Sequence, residues 1–218
     1  MREKQLNAPP RIYPAETIRK PMIQVVQRLQ LMGVNLARMR ALEFFAREGD
    51  WQTLGYANQV NSLDAWEINP DFEPALRKSL PRAKICIGDS YQLALQPKFK
   101  QQFDFLVLDN PQVVFGQQGE HCEHFEAILL APHLLSPSGG ILVFNVNHNP
   151  YGYEKFPEWQ KRRNEFYGLT KTAKVELSFL ETFYRQLFKR LGFTTSFLFF
   201  EQRHEPSIAY CVAGLQRI

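Results

Sequence analysis

Cysteine is scarce and unpaired in this chain. Its 218 residues hold only Cys86, Cys122 and Cys211, an odd number with no CxxC spacing, two of them inside apolar strand-like runs. That usage excludes a disulfide framework and points to buried thiols. Long hydrophobic runs are missing too. No apolar stretch reaches the length needed to cross a bilayer, and Met1 to Pro10 are polar, without a signal-peptide core. The expectation is a cytoplasmic protein with no membrane contact. There is no low-complexity tract and no internal repeat beyond a strand and helix alternation, which excludes solenoid and fibrous classes.

Charge of one sign does not dominate. The net charge is +4 and the hydrophobic fraction 44%, ordinary for a globular enzyme-sized domain. The charge is uneven, however. Arg2, Lys4, Arg11, Arg19, Lys20, Arg28, Arg38 and Arg40 face only Glu3 and Glu16 over residues 1–40, so that segment carries +6 and the remainder −2. Such asymmetry suits a polyanion contact or a solvated helix face. The basic residues are spread out and lack interleaved aromatics, which favours the solvated face.

What the chain does have is a ladder of acids. Glu43, Glu67, Asp89 and Asp109 each close a hydrophobic run. The intervals are 24 residues from 43 to 67, 22 from 67 to 89 and 20 from 89 to 109. Each matches a strand, a loop, a helix and a return loop of a parallel α/β unit. Every carboxylate then sits at the C-terminal end of a strand, the edge that carries the ligand crevice in open α/β sheets. A row of acceptors there suits a nucleoside, with its ribose diol and exocyclic amine.

Periodicity fills in the rest. Pro9, Pro10 and Pro14 keep residues 1–16 extended, and Ile23, Val26, Leu29, Met32 and Leu36 predict an edge helix from Pro21 to about Arg38. Residues 1–40 thus read as a basic extension with an edge helix, and 41–218 as the main domain. Strands are expected at 41–45, 63–68, 83–88, 103–109 and 141–146. Helices are expected at 51–60, 70–80, 120–135 and 175–191, and a closing antiparallel pair at 194–200 and 207–215. The stretch 147–174 is an insertion, with Tyr151, Tyr153, Phe156, Trp159, Phe166 and Tyr167 among Lys155, Lys161, Arg162 and Arg163. Its place after a strand end predicts a lid or a substrate wall.

This order of elements resembles the class I S-adenosylmethionine-dependent methyltransferases over residues 22–215. The resemblance implies a Rossmann-like α/β fold: a seven-stranded, mostly parallel sheet with an antiparallel C-terminal strand and helices on both faces. Of the family's first motif, acid-x-Gly-x-Gly-x-Gly, Glu43 and Gly49 remain, while Phe45 and Arg47 replace glycines. Glu67, followed by Ile68-Asn69-Pro70, matches the ribose-binding acid. Gly88-Asp89-Ser90 is similar to the adenine-reading motif, and Asp109-Asn110-Pro111 to the motif near the methyl group. Leu135 to Phe144 is similar to the turn into the fifth strand. A dinucleotide needs close backbone approach to its pyrophosphate, so Phe45 and Arg47 argue against nicotinamide and flavin enzymes. S-adenosylmethionine has no phosphate, and its amino-acid end could meet Glu43, Arg47 and Gly49.

The implied reaction is methyl transfer to an oxygen or nitrogen nucleophile. The implied cofactor set is Glu43, Arg47, Gly49, Glu67, Asp89 and Ser90. Asp109, Asn110 and a histidine among His121, His124 and His148 would face the acceptor, a small molecule rather than a nucleic acid. His121 and His124 could share a helix face as metal ligands, but the spacing supplies no further ligands, and no metal is expected. The alternative is a non-catalytic Rossmann-like module that binds a protein or nucleic-acid partner.

Overall fold

Apolar residues of the central strands alternate between two faces, and that alternation sets the layers. The computed structural model describes residues 13–149, 156–171 and 174–218. Arg2, Glu3, Lys4, Pro9, Pro10, Arg11, Tyr151, Tyr153 and Lys155 lie outside them. In β1 (Arg40–Glu43), β4 (Phe105–Leu108) and β7 (Gly140–Asn147), the side chains of Ala41, Phe105, Val107, Ile141 and Val143 enter one core. Leu42, Leu106, Leu108, Leu142 and Phe144 enter the other. Strands covered on both faces read in sequence as continuous apolar runs, which is how they were legible.

With β2 (Ser62–Glu67), β3 (Lys84–Ile87), β8 (Phe193–Gln202) and β9 (Ile208–Arg217), these strands form one seven-stranded sheet in the order β3-β2-β1-β4-β7-β9-β8. Pairing is parallel from β3 through β7, and β9 runs antiparallel to both β7 and β8. The mostly parallel sheet with its antiparallel C-terminal strand is the expected one. Strand order reverses between β1 and β4, so a crevice opens outside their C-terminal ends. The turn before β7 is tight: a Cβ on Gly139 (φ +96) would lie 2.0 Å from the Leu215 carbonyl oxygen, so only glycine fits.

One face is covered by α1 (Ala15–Leu31) and α2 (Glu73–Ser79). The other carries α3 (Ser90–Ala94), α4 (Ala131–Leu134), α5 (Pro157–Tyr167) and α6 (Leu177–Arg190). Three helices differ from expectation. The first begins earlier and ends at Leu31: Pro14 caps it, Pro21 lies inside its buried face, and Gly33 (φ +83) stops it by donating to Gln30, while Val34 donates to Leu29. Its buried face is Ile18, Met22, Val25, Val26 and Leu29, leaving Ile23 and Met32 exposed. The helix expected at 51–60 is a single 3-10 turn, Gln52–Gly55, pressed on α1 so closely that a Cβ on Gly55 would sit 3.1 Å from Met22. The helix expected at 120–135 is instead a small hairpin of β5 (Val114–Phe115) and β6 (His121–Cys122), followed by short turns and α4. Glu123 interrupts it with φ +49, a left-handed conformation that turns its carboxylate into the core.

Candidate active site

The four acids stand at strand ends on one edge of the sheet, and each is differently held. Glu67 ends β2 and is nearly buried. Its Oε2 accepts the Arg47 N–H at 2.7 Å and its Oε1 the Asn69 N–H at 2.8 Å. Burial raises its pKa, and those two N–H groups, the nearby Arg47 charge and the Ile68 N–H oppose the rise. Ile68, the next residue, is 64% exposed beside it. Asp89 caps α3 by accepting the Tyr91 N–H at 2.9 Å, and the Ser90 hydroxyl donates to the Phe44 carbonyl at 2.6 Å. Ser90 therefore ties the loop after β1 to the start of α3. In that loop Arg47 (φ +49) and Gly49 (φ +68) both take the left-handed conformation, so the backbone keeps a glycine-like path although one position is arginine. The Arg47 guanidinium lies over the Trp51 ring, 4.5 Å from its centroid. Gly49 also packs tightly on α2, where a Cβ would meet the end of the Leu76 side chain at 2.6 Å.

Glu43 ends β1 and is fully buried. Its Oε2 accepts the Tyr56 hydroxyl at 2.5 Å and the Thr53 hydroxyl at 3.1 Å, fastening the 3-10 turn to the strand. Its Oε1 has no hydrogen-bond partner. Burial, and then the charge of Asp109, push its pKa up to about 8, against the two hydroxyl bonds and the Asp109 backbone N–H. Asp109, just past β4, accepts from Asn145 Nδ2 at 2.7 Å and from Arg203 Nη1 at 2.9 Å on one oxygen. Arg203 also donates to Asn145 Oδ1 at 2.7 Å and lies over the Tyr210 ring. Asn110 is turned inward: its Oδ1 accepts the Asn145 N–H at 3.0 Å, so the side chain prolongs the β4 to β7 ladder.

No protein-family model matches the chain, and no curated protein does. Solved structures do match. Trm1 from Pyrococcus horikoshii, in complex with S-adenosyl-L-methionine, aligns with 94% of this chain and 56% of its own length, with a TM-score of 0.64 at 13% identity. A candidate RNA methyltransferase from the same organism aligns over 91% of this chain and 85% of its own, with a TM-score of 0.54 at 12% identity. A candidate methyltransferase from Escherichia coli covers 94% of this chain and 91% of its own, with a TM-score of 0.53 at 11% identity. The chain has the class I S-adenosylmethionine-dependent methyltransferase fold. Glu43, Glu67, Asp89 and Asp109 all stand at or just past the C-terminal ends of β1 to β4.

The histidines are dispersed around this methyltransferase-fold crevice. His121 stacks on Tyr91, centroids 3.6 Å apart and planes 7° from parallel, beside Phe115. His124 is wholly buried on the far core, with Nε2 2.6 Å from the Tyr184 hydroxyl, and burial depresses its pKa well below the usual range. The two do not share a helix face, because His121 lies in β6 and no helix spans them. His148 lies past β7, where its N–H donates to Ser207 at 2.9 Å, and burial lowers its pKa. Among the described residues no three His, Cys, Asp or Glu side chains group as a metal site.

The inserted helix α5 is strapped down. Arg162 donates to the Gly119 carbonyl at 2.7 Å and pairs with Glu126; Arg163 and the Trp159 indole each donate to Glu123 Oε1 at 2.8 Å. Sequence reasoning missed Thr53, Tyr56, Asn145, Arg203 and Tyr210. Asn145 had a signal, a polar residue inside an apolar strand. Arg203 had none, because its partners are 58 and 94 positions away. A cleft lined by Asn61, Ser62, Ser79 and Arg82 lies at the starts of β2 and β3, on the opposite edge from the acids.

Proposed function

We propose that the chain transfers a methyl group from S-adenosylmethionine to an oxygen or nitrogen nucleophile. The observation that carries this reading is the end of β2, where the Glu67 carboxylate adjoins an exposed Ile68. Each Glu67 oxygen accepts one backbone N–H, and the Ile68 N–H also lies against the carboxylate, which leaves at least one acceptor position for a ribose hydroxyl. Ile68 offers an apolar face to an adenine ring, and Asp89, at the end of the neighbouring strand, is assigned to its exocyclic amine. The partnerless Glu43 Oε1 and the left-handed Arg47 loop fit the amino-acid end of the same molecule.

When bound, the cofactor supplies a sulfonium-activated methyl, so the protein's work is alignment and exclusion of water. Glu67 and Asp89 orient the adenosyl group. Asp109, fixed by Asn145 and Arg203, borders the acceptor's approach, as does His121 on its Tyr91 support. Asn110 holds the ends of β4 and β7 together rather than presenting its amide to an acceptor. His124 supports the opposite core. His148 is assigned no step. A small-molecule acceptor is the reading we favour.

One observation favours a second reading, a module that kept the fold and lost methyl transfer. Glu67 already holds the two loops together, so its carboxylate has a structural use without any ligand. Calorimetric titration of S-adenosylmethionine and S-adenosylhomocysteine separates the two. Micromolar binding that Glu67→Ala weakens at least tenfold, with the variant still folded, supports the enzyme. Absence of heat and of thermal stabilisation from folded, ligand-free protein supports the module.

A further inference from the structure

Two carboxylates and one guanidinium meet at the ends of β1 and β4. The groups facing Glu43 come from every element around it: Thr53 and Tyr56 from the 3-10 turn, Asp109 from the end of β4, and Tyr210 from β9. Arg203, from the turn between β8 and β9, reaches the same cluster. Its Nη1 bonds Asp109 and Asn145, so its positive charge is committed to Asp109. Glu43 lies beside that carboxylate and the Asp109 backbone N–H, its Oε1 making no close hydrogen bond, at a position with no solvent exposure. A buried carboxyl in this setting keeps its proton until a second cation reaches the cluster.

We propose that Glu43 gives up its proton when a positively charged sulfonium and ammonium ligand occupies the ends of β1 and β4, so that cofactor binding releases one proton. This rests on the cofactor reading above. The balance is simple: the Glu43 O–H bond breaks, the proton passes to solvent buffer, and the carboxylate left behind faces the new cation. A neutral nucleoside at the same place leaves the Glu43 carboxyl protonated and releases no proton.

The test is titration of S-adenosylmethionine into the full chain at one pH in buffers of small and large ionisation enthalpy, which reads protons released per ligand. With its pKa pushed up to about 8, Glu43 is about 90% protonated at pH 7 and about 10% at pH 9. The expected release is therefore close to one proton at pH 7, beyond any change in the ligand's own amino group, which titrates near 8. Glu43→Gln keeps the neutral shape and that ligand contribution, and should cut the release at pH 7 below about a fifth of wild type. An unchanged release in Glu43→Gln overturns the proposal. If Glu43→Gln does not fold or bind, Tyr56→Phe decides: losing the 2.5 Å bond favours the protonated acid, so release should persist at pH 9 above the wild-type level, and no change there overturns the proposal. Binding without proton release in the wild type refutes this inference alone, whereas no binding at all refutes the cofactor reading with it.

Discussion

Replacing Arg163 by methionine should unsettle the inserted helix and much of the fold with it. Arg163 and Glu123 are both fully buried and joined at 2.8 Å, with the Trp159 indole on the same Glu123 oxygen and the Asn147 carbonyl accepting from the guanidinium's other arm. Methionine fits the helix and roughly the volume, so the main loss is charge compensation for Glu123. Breaking one partner of a buried pair costs about 3–5 kcal/mol, because the survivor is left desolvated. For a chain of this size that is a fall in Tm of roughly 6–20 °C. Urea unfolding followed by tryptophan fluorescence would measure it.

The pH dependence sharpens the case. Burial already raises the Glu123 pKa and Arg163 opposes that rise, so without Arg163 the carboxyl keeps its proton to higher pH. A raised folded-state pKa means stability that is present at low pH and lost as pH climbs through the folded value. The deficit of Arg163→Met should therefore shrink toward pH 5 and widen toward pH 8. A loss below about 1 kcal/mol, the scale of an exposed pair, would refute the reasoning. So would a deficit that grows on acidification.

Three further outcomes follow from the packing and the site. Glu43, raised to about 8, should make wild-type stability decline between roughly pH 5 and 8 by several kcal/mol, and Glu43→Gln should flatten that slope in denaturant melts taken across the range. Gly139→Ala places a methyl on the Leu215 carbonyl at a φ of +96, and should cost about 3 kcal/mol or more by equilibrium unfolding; a neutral result would mean the turn before β7 yields freely. Ser90→Ala removes the donor to the Phe44 carbonyl, and should cost about 1–2 kcal/mol while weakening S-adenosylhomocysteine binding through a loosened loop; equal stability would show that water replaces the hydroxyl.

Much of this protein was written along its chain. Strands buried on both faces need unbroken apolar runs, and acids end several of those runs, so β1 to β4, β7 and the closing antiparallel pair were legible with their order of elements. Helix limits were less so. Gly33 stops α1 through a left-handed turn that apolar spacing does not register, and Glu123 breaks an expected helix because its carboxylate is drawn to Arg163, 40 positions away. The tertiary structure alone decided what each acid touches. Sequence spacing put Glu43 and Asp109 on one edge, but only the return of β8 and β9 delivered Arg203 and Tyr210 to them. Hydrophobic periodicity is a local property and survives in one dimension. The partners of a buried charge are chosen by where distant strands come to rest, and those partners fix its protonation.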